Sequence, residues 1–420
     1  MTENAVSPTY AEIAERTRKL VSENKDVVEW IAAGTSEKDR TPLPFVKITD
    51  NTVPVDEKQV MIVTGGVHGC EECGRATVMA FAEWLVSSGR PHLSTQCFLI
   101  CPCLNPDGTR INRSETGTGK NICFSFSPGT DENDVPEAAA VWTLVNEYYP
   151  ECCVDVHGLA GGSFGDTIYV TPGLSGNLST QIGFATAYEM SEQAASAGFC
   201  QRDPYLQKEY NDLSSGLCWV KKAAWELNAL SFTVETTEHL RPLSESVWSG
   251  LTRLIRLVEI GERQQWYQPY PGYPVDILTD SGVTALMPHG TTPGERRRSR
   301  KELMDAIHED GIWHVDRDAA DNAAGTDRRA GATLTCRKQL KSYPSRFTIQ
   351  LMLDRRAKTE TVMFNGETLT SDPVHGFEER ITEQGRFVRV HINREPRPGD
   401  NRVEVLYQVP EAPHDPLPAE

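Results

Sequence analysis

The chain opens on a helical pattern. Thr9-Tyr10-Ala11-Glu12 has capping-box spacing, and Ile13, Leu20, Val27, Val28 and Ile31 then recur at helical intervals until Gly34. Residues 45–48 and 60–63 read as strands, the second apolar on both faces and so central in a sheet. Gly65-Gly66 breaks that strand, and the spacing predicts a helix over 75–86. Strands follow at 98–101, closed by Pro102, and at 152–156, 167–170 and 230–234. Helical patterns cover 137–148, 178–197 and 243–260. Buried strands alternating with helices predict an α/β domain, with a mixed, largely parallel sheet flanked by helices.

After about residue 270 the texture changes. Residues 278–330 are polar with weak periodicity, and from Ala332 short alternating stretches dominate, at 346–352, 361–364, 386–392 and 402–409. Asn365-Gly366 and Pro398-Gly399-Asp400-Asn401 supply turns. The expected organisation is an α/β domain over 1–270, a polar connecting region over 271–330 and a smaller all-β sandwich domain over 331–411. No repeat of fixed period interrupts it.

Length and composition agree with two domains: 420 residues exceed one ordinary core, and a 39% hydrophobic content is that of globular protein. The 42 Lys+Arg against 59 Asp+Glu give a formal charge of −17, which disfavours nucleic acid or an anionic membrane as partner. The run Arg296-Arg297-Arg298-Ser299-Arg300-Lys301 is the exception, and with acidic residues following it reads as a solvated loop or helix start. The N-terminus lacks the charged start and apolar core of a secretory signal, and no stretch is apolar enough to span a bilayer. The 11 cysteines are an odd number, and Cys97, Cys101, Cys152 and Cys153 sit in apolar runs. That is the look of buried free thiols, so the expected location is the cytoplasm. Oligomeric state is left open, a homo-oligomer included.

The chemistry is concentrated at three strand ends. Gly65-Gly66-Val67-His68-Gly69-Cys70-Glu71-Glu72-Cys73-Gly74 lies between a buried strand and a helix, where α/β sheets place their sites. His68 and Glu71, three apart with a glycine between, can turn both side chains onto one ion. Asp155-Val156-His157-Gly158 ends another buried strand, and His157 is either a third ligand or a satisfied core histidine. Glu235, in Ser231-Phe232-Thr233-Val234-Glu235, ends a β-rich strand and is either a general base or a solvated carboxylate. Two imidazoles, one carboxylate and an open position make a catalytic rather than a structural zinc set. Cys70-Glu71-Glu72-Cys73 is also a C-x-x-C, but no second such pair exists to complete a structural zinc site. Cys101-Pro102-Cys103 reads as packing.

In order along the chain, His68 to Gly74 (H-G-x-E-x-x-G), Asn105-Pro106-Asp107-Gly108, Pro136-Glu137, Asp155 to His157 and Phe232 to Glu235 resemble the zinc metallocarboxypeptidase family, the carboxypeptidase A-like superfamily. The resemblance covers about residues 20–265. It implies one zinc per chain on His68, Glu71 and His157, with Glu235 as general base and acid. It further implies a mobile Tyr210, nine residues before Trp219, that hydrogen-bonds the scissile amide, and Leu217 in the specificity pocket.

The chain also departs from the family pattern. An Arg that steadies the oxyanion is expected after N-P-D-G, and Arg110 and Arg113 are both candidates. The Asn-Arg pair that clamps a free C-terminal carboxylate is missing, since Ile122 follows Asn121. Either Asn112-Arg113 takes over that role, with Arg110 at the oxyanion, or the substrate has no carboxylate to hold. The resemblance therefore implies a zinc hydrolase of peptide or amide bonds acting on a peptide or acyl-amino-acid-like small substrate. The alternatives are an amidase or deacylase that needs no free carboxylate, and a non-catalytic binding protein on the same fold. Residues 362–366 and 398–405 resemble sandwich domains appended to hydrolases, with a structural role favoured for them.

Overall fold

The computed structural model describes residues 9–126, 130–159, 165–171, 177–206, 218–263, 286–287, 292–310, 313–318, 327–336, 347–353, 356–372, 375–381, 386–392, 397 and 399–409. The chain divides into two compact units, one of Met1–Tyr267 with Thr292–Arg297, the other of Gln268–Thr291 with Arg298–Glu420.

The first unit is built on strands β1 (Val28–Ile31), β2 (Phe45–Ile48), β3 (Gln59–Gly65), β4 (Gln96–Cys101), β5 (Cys152–Leu159), β6 (Thr167–Val170), β7 (Tyr205–Leu206) and β8 (Leu230–Thr237). They form one sheet in the order β1-β2-β4-β3-β5-β8-β6-β7. Its centre, β4-β3-β5-β8, is parallel, and antiparallel pairs join β1 to β2, β2 to β4 and β8 to β6. Helices α1 (Tyr10–Glu23), α2 (Glu72–Val86), α3 (Pro106–Ile111), α4 (Pro136–Tyr148), α5 (Asn177–Ser196), α6 (Trp219–Leu227) and α7 (Leu243–Glu262) accompany it.

Every residue of β3 and β4 is buried, which is why both read as continuous apolar runs. Alternate side chains serve opposite faces. Val60, Ile62, Leu99 and Cys101 join Val141, Leu144 and Val145 of α4 and Trp219, Val220 and Ala223 of α6 in one core cluster. Phe98, pointing the other way, meets Phe81 of α2 edge-on with ring centroids 5.9 Å apart. The parallel strands β3, β5 and β8 are thus neighbours covered on both faces, and their carboxyl ends form one rim of the sheet.

Two elements differ from the sequence reading. The apolar spacing through Ile31 does not continue the first helix. α1 keeps its capping box but stops at Glu23, with Asn24 as cap, and Val28–Ile31 pairs with β2. β-branched residues beside an open strand edge favour pairing over another helical turn. Second, the stretch expected as a polar connection holds α8 (Pro293–Asp310), β10 (Trp313–Asp318) and the start of β11 (Asp327–Cys336) among its described residues. Arg296, Arg297 and Arg300 of the basic run are buried rather than solvated. Arg297 pairs with the buried Glu151 at 3.2 Å and donates to the Lys58 and Val55 carbonyls. A buried carboxylate at a strand start thereby attracts a guanidinium that charge patterning alone assigns to water.

The second unit holds two antiparallel sheets. Besides β10 and β11 its strands are β9 (Leu286–Met287), β12 (Phe347–Leu353), β13 (Lys358–Phe364), β14 (Glu367–Thr368), β15 (Gly376–Ile381), β16 (Arg386–Ile392) and β17 (Gly399–Gln408). The orders are β10-β11-β17-β13-β14 and β15-β16-β12-β9. Leu351, Val388 and Val390 from one sheet and Val362, Phe364, Val403 and Val405 from the other share one apolar cluster. Asn365 and Gly366 both have positive φ, 52° and 80°, as the two-residue hairpin between β13 and β14 requires.

Candidate metal centre

The turn after β3 carries His68 and Glu71 to the sheet rim, and α2 starts at once behind it. Two glycines permit this. A Cβ on Gly74 would stand 2.4 Å from the Val156 carbonyl oxygen, so only glycine lets α2 lie against β5. A Cβ on Gly69 would stand 2.1 Å from Gly108 main chain, so the turn seats on α3. Asn105 holds the same region together. Its Oδ1 caps α3 by accepting from Gly108 N at 2.8 Å, and its Nδ2 donates to the Val67 and Ser114 carbonyls at 3.1 Å each. The buried Arg75 donates to the carbonyls of Gly69 and Glu71, bracing the turn from behind.

His157 lies in β5, one strand along, and is 4% exposed. Its Nδ1 stands 2.9 Å from Glu71 Oε2, while His68 Nδ1 stands 2.7 Å from Glu71 Oε1. One nitrogen of each ring and a carboxylate oxygen lie within 4.8 Å of one another, the only such group among the described residues. The remote nitrogens have partners of their own: His157 Nε2 meets Asp155 Oδ2 at 2.8 Å, and His68 Nε2 faces Asn121 Nδ2 at 3.5 Å and Cys123 Sγ at 3.6 Å. Gly158 N donates to Glu71 Oε2 at 3.1 Å.

Electrostatics match this geometry. Burial acts to raise the Glu71 carboxyl, but His157 and His68 outweigh it and hold the group down at about 2. Burial acts to lower His157, yet Asp155 and Glu71 raise it well above the ordinary imidazole range. Two imidazole rings thus converge on one carboxylate whose ionised form is favoured. Imidazole nitrogens and carboxylate oxygens are ordinary zinc donors, and ring nitrogens oriented by an outer carboxylate are the usual arrangement around them. The residues present fit zinc.

Glu235 stands directly opposite His157 in the pairing of β5 with β8, so the two side chains share one face of the sheet. Burial, the largest influence, pushes its carboxyl up to about 7, with Glu71 and Asp155 adding to the rise and His157 and His68 opposing it. A buried carboxyl on the same sheet face as a candidate cation site is placed for taking and returning a proton.

The remaining candidates are placed differently. Arg110 donates to Asp39 and Asp107 at 2.8 and 3.2 Å and to Thr41 Oγ1 at 2.7 Å, and lies over the Tyr10 ring, so its partners belong to α1, α3 and the loop before β2. Asn112 caps α3 in the left-handed region, with φ 53°. Arg113 is exposed, and a Cβ on Gly69 would stand 2.7 Å from its carbonyl oxygen, which places its backbone beside the His68 turn. Ile122 is buried in the core cluster. Tyr210 and Leu217 lie outside the described residues.

Sequence patterning did not single out Asp155 as the partner of His157, Arg75 as the brace of the turn, or Glu238. Glu238 accepts from Glu72 N at 2.6 Å and from Cys73 N at 3.4 Å, and so satisfies the start of α2. Only the spacing of Asp155 before His157 carried a signal. Cys73 is buried against the His157 and Thr236 carbonyls, as a packed thiol. Its burial raises it well above the usual thiol range, the reverse of an activated cysteine. The cysteines described with their side chains are all free. Among the described residues no helix is long and apolar enough to cross a membrane.

Residues 13–133 match the family model described as zinc carboxypeptidase. The match contains His68 and Glu71 and ends before His157 and Glu235. Carboxypeptidase SOL1 of Arabidopsis thaliana is 25% identical over 129 residues, which is 28% of this chain and 26% of that protein, so the chain spans about a quarter of that relative's length. Among solved structures, carboxypeptidase A from Helicoverpa armigera superposes with a TM-score of 0.51 at 13% identity, covering 61% of this chain and 73% of the other. A metallo-carboxypeptidase from Burkholderia cenocepacia gives 0.50 at 17% identity, covering 61% and 70%. At such identities these two show the shared fold.

Proposed function

We propose that this chain is a member of the carboxypeptidase A-like family, as the family match over residues 13–133 and the shared fold support, and that it is a zinc-dependent hydrolase of peptide or amide bonds. The observation that carries the proposal is the convergence of His68 Nδ1, His157 Nδ1 and both Glu71 oxygens, with Glu235 opposite His157. His68, Glu71 and His157 would hold one zinc. Zinc bound there supplies Lewis acidity, polarising a carbonyl and lowering the pKa of water to about 7. Glu235 accepts the proton of the attacking water and delivers it to the leaving amine, a task for which its place opposite His157 fits it. Asp155 orients His157, and Asn121 and Cys123 sit against the far nitrogen of His68.

The substrate class is a peptide or acyl-amino-acid-like small molecule. Arg113 is the candidate for a carboxylate clamp, because Arg110 is engaged with Asp39 and Asp107, and Ile122 stands where the family pattern has its arginine. The same burial of Ile122 favours a second reading, an amidase or deacylase indifferent to a free carboxylate.

The test is zinc content by elemental analysis on wild type and His157→Ala, followed by hydrolysis of an acyl-dipeptide and its C-terminal amide. One zinc per chain, lost in the variant, together with turnover supports the proposal. Wild-type protein that takes up no zinc on reconstitution removes it. Equal turnover of both substrates selects the amidase reading.

A further inference from the structure

Behind His157 a line of buried hydrogen bonds runs further than the metal ligands require. Asp155 accepts from His157 Nε2 through one oxygen. Its other oxygen, Oδ1, lies 2.6 Å from Thr64 Oγ1 in the neighbouring strand β3. Thr64 Oγ1 in turn lies 2.9 Å from the indole nitrogen of Trp219, the first residue of α6. Asp155, Thr64 and Trp219 are all fully buried.

The direction of this line follows from chemistry. An indole nitrogen only donates, so Thr64 must accept from Trp219. A hydroxyl has one proton, and Thr64 is left to give it to Asp155. Asp155 accepts from Thr64 at Oδ1, and its other oxygen, Oδ2, faces His157 Nε2. With Asp155 placed to accept at Nε2, the ring tautomer it favours carries its proton there, and Nδ1 is the nitrogen turned toward Glu71 and a bound cation.

Resting on the zinc reading above, we infer that Thr64 and Trp219 are positioning residues for the ligand His157, fixing through Asp155 which ring nitrogen is offered to the metal. Neither touches the ion or the substrate. Trp219 thereby couples the helix that covers one face of the sheet to the ligand at its rim.

The experiment is a chelator-competition titration of zinc on the full chain, repeated with the visible spectrum of the cobalt-substituted protein. Outer-shell changes at metal sites weaken binding about 10–100-fold, and that loss is expected for Thr64→Val, with a changed cobalt spectrum. Thr64→Ser keeps the hydroxyl and is expected to stay within about threefold of wild type, with the spectrum restored. Wild-type affinity in Thr64→Val, or equal weakening in the Ser and Val variants, would overturn the inference while leaving the metal centre standing. Wild-type protein without zinc would remove both together. If Thr64→Val does not fold, Trp219→Phe carries the test: the freed hydroxyl can turn away from Asp155, and a weakening of about threefold to tenfold is expected. Unchanged affinity there overturns the inference.

Discussion

Arg253 donates from Nη1 to the main-chain carbonyl of Glu235 at 3.1 Å. The arginine is fully buried in α7, and burial brings its guanidinium down to about 10, partly countered by Asp166 at 3.7 Å. Asp166 is the hub of this cluster. It also accepts from Arg241 at 2.7 and 2.9 Å, from Thr237 N at 2.6 Å and from Ser249. The strand segment that presents Glu235 is thus pinned by the fully buried Arg253 and Asp166, with the partly exposed Arg241 at the edge of the cluster.

The cluster makes stability depend on pH. Burial acts to raise the Asp166 carboxyl, but Arg253, Ser249 and Arg241 outweigh it and the group lies below its ordinary value. Its contribution is fully present above the unfolded aspartate value of about 4, and is lost as pH falls through the lower, folded value. Asp166→Asn leaves the buried guanidinium of Arg253 and the partly buried one of Arg241 without their carboxylate and is expected to cost about 3 kcal/mol at pH 7. Urea melts of both proteins from pH 7 to pH 3 check this. The gap between them should narrow only below about pH 4, and a gap independent of pH would refute the assignment.

Glu235→Gln separates proton transfer from metal binding. The variant should keep wild-type zinc content while kcat falls about 10²–10⁴-fold, the usual contribution of a positioned acid–base group. Elemental analysis and steady-state kinetics on the same sample read both. A kcat within a few-fold of wild type would place the base elsewhere.

Arg113→Ala tests whether the proposed hydrolase requires a free carboxylate on its substrate. If Arg113 grips a terminal carboxylate, KM for an acyl-dipeptide should rise about tenfold or more, while KM for the corresponding amide is unchanged. An equal effect on both substrates would exclude a clamp at this position.

Gly74→Ala tests the seat of the ligand turn. Its Cβ would meet main chain, the Val156 carbonyl oxygen, which cannot swing aside as a side-chain tip can. Overpacking of this kind costs about 1–3 kcal/mol, and because α2 carries Glu71 at its start, weaker zinc binding should accompany the loss. Thermal melts and zinc titration check it, and an alanine variant that melts as wild type would contradict the packing described.

Much of the first unit is legible along the chain because its signals are local. Runs such as those of β3 and β4 are apolar throughout because both faces are covered, and the glycines and His68 follow at the strand end. What is not legible depends on partners brought by the fold. Asp155 reads as half of a motif until the ring nitrogen is seen to meet it. Arg253 lies among apolar residues of α7 with nothing nearby in the chain to announce Glu235. Arg297 finds Glu151 from 146 positions away, so its run of positive charge looks solvated when read alone. The end of α1 escapes for another reason: Val28 and Ile31 fit helical spacing, yet they belong to a strand that pairs with the edge β2 offers.

Glu71 reaches across 86 positions of chain to His157, and Glu235 comes later still. A chain emerging from the ribosome can display the strand, the glycine turn and the first two donors long before it owns the third. Until His157 has been added and β5 has paired with β3, the donor set described above is incomplete. If the site holds a cation as proposed, its capture would report that the growing polypeptide has passed that point and joined these two strands. A product truncated before it would keep the opening residues that match the family while lacking the third donor of the proposed site.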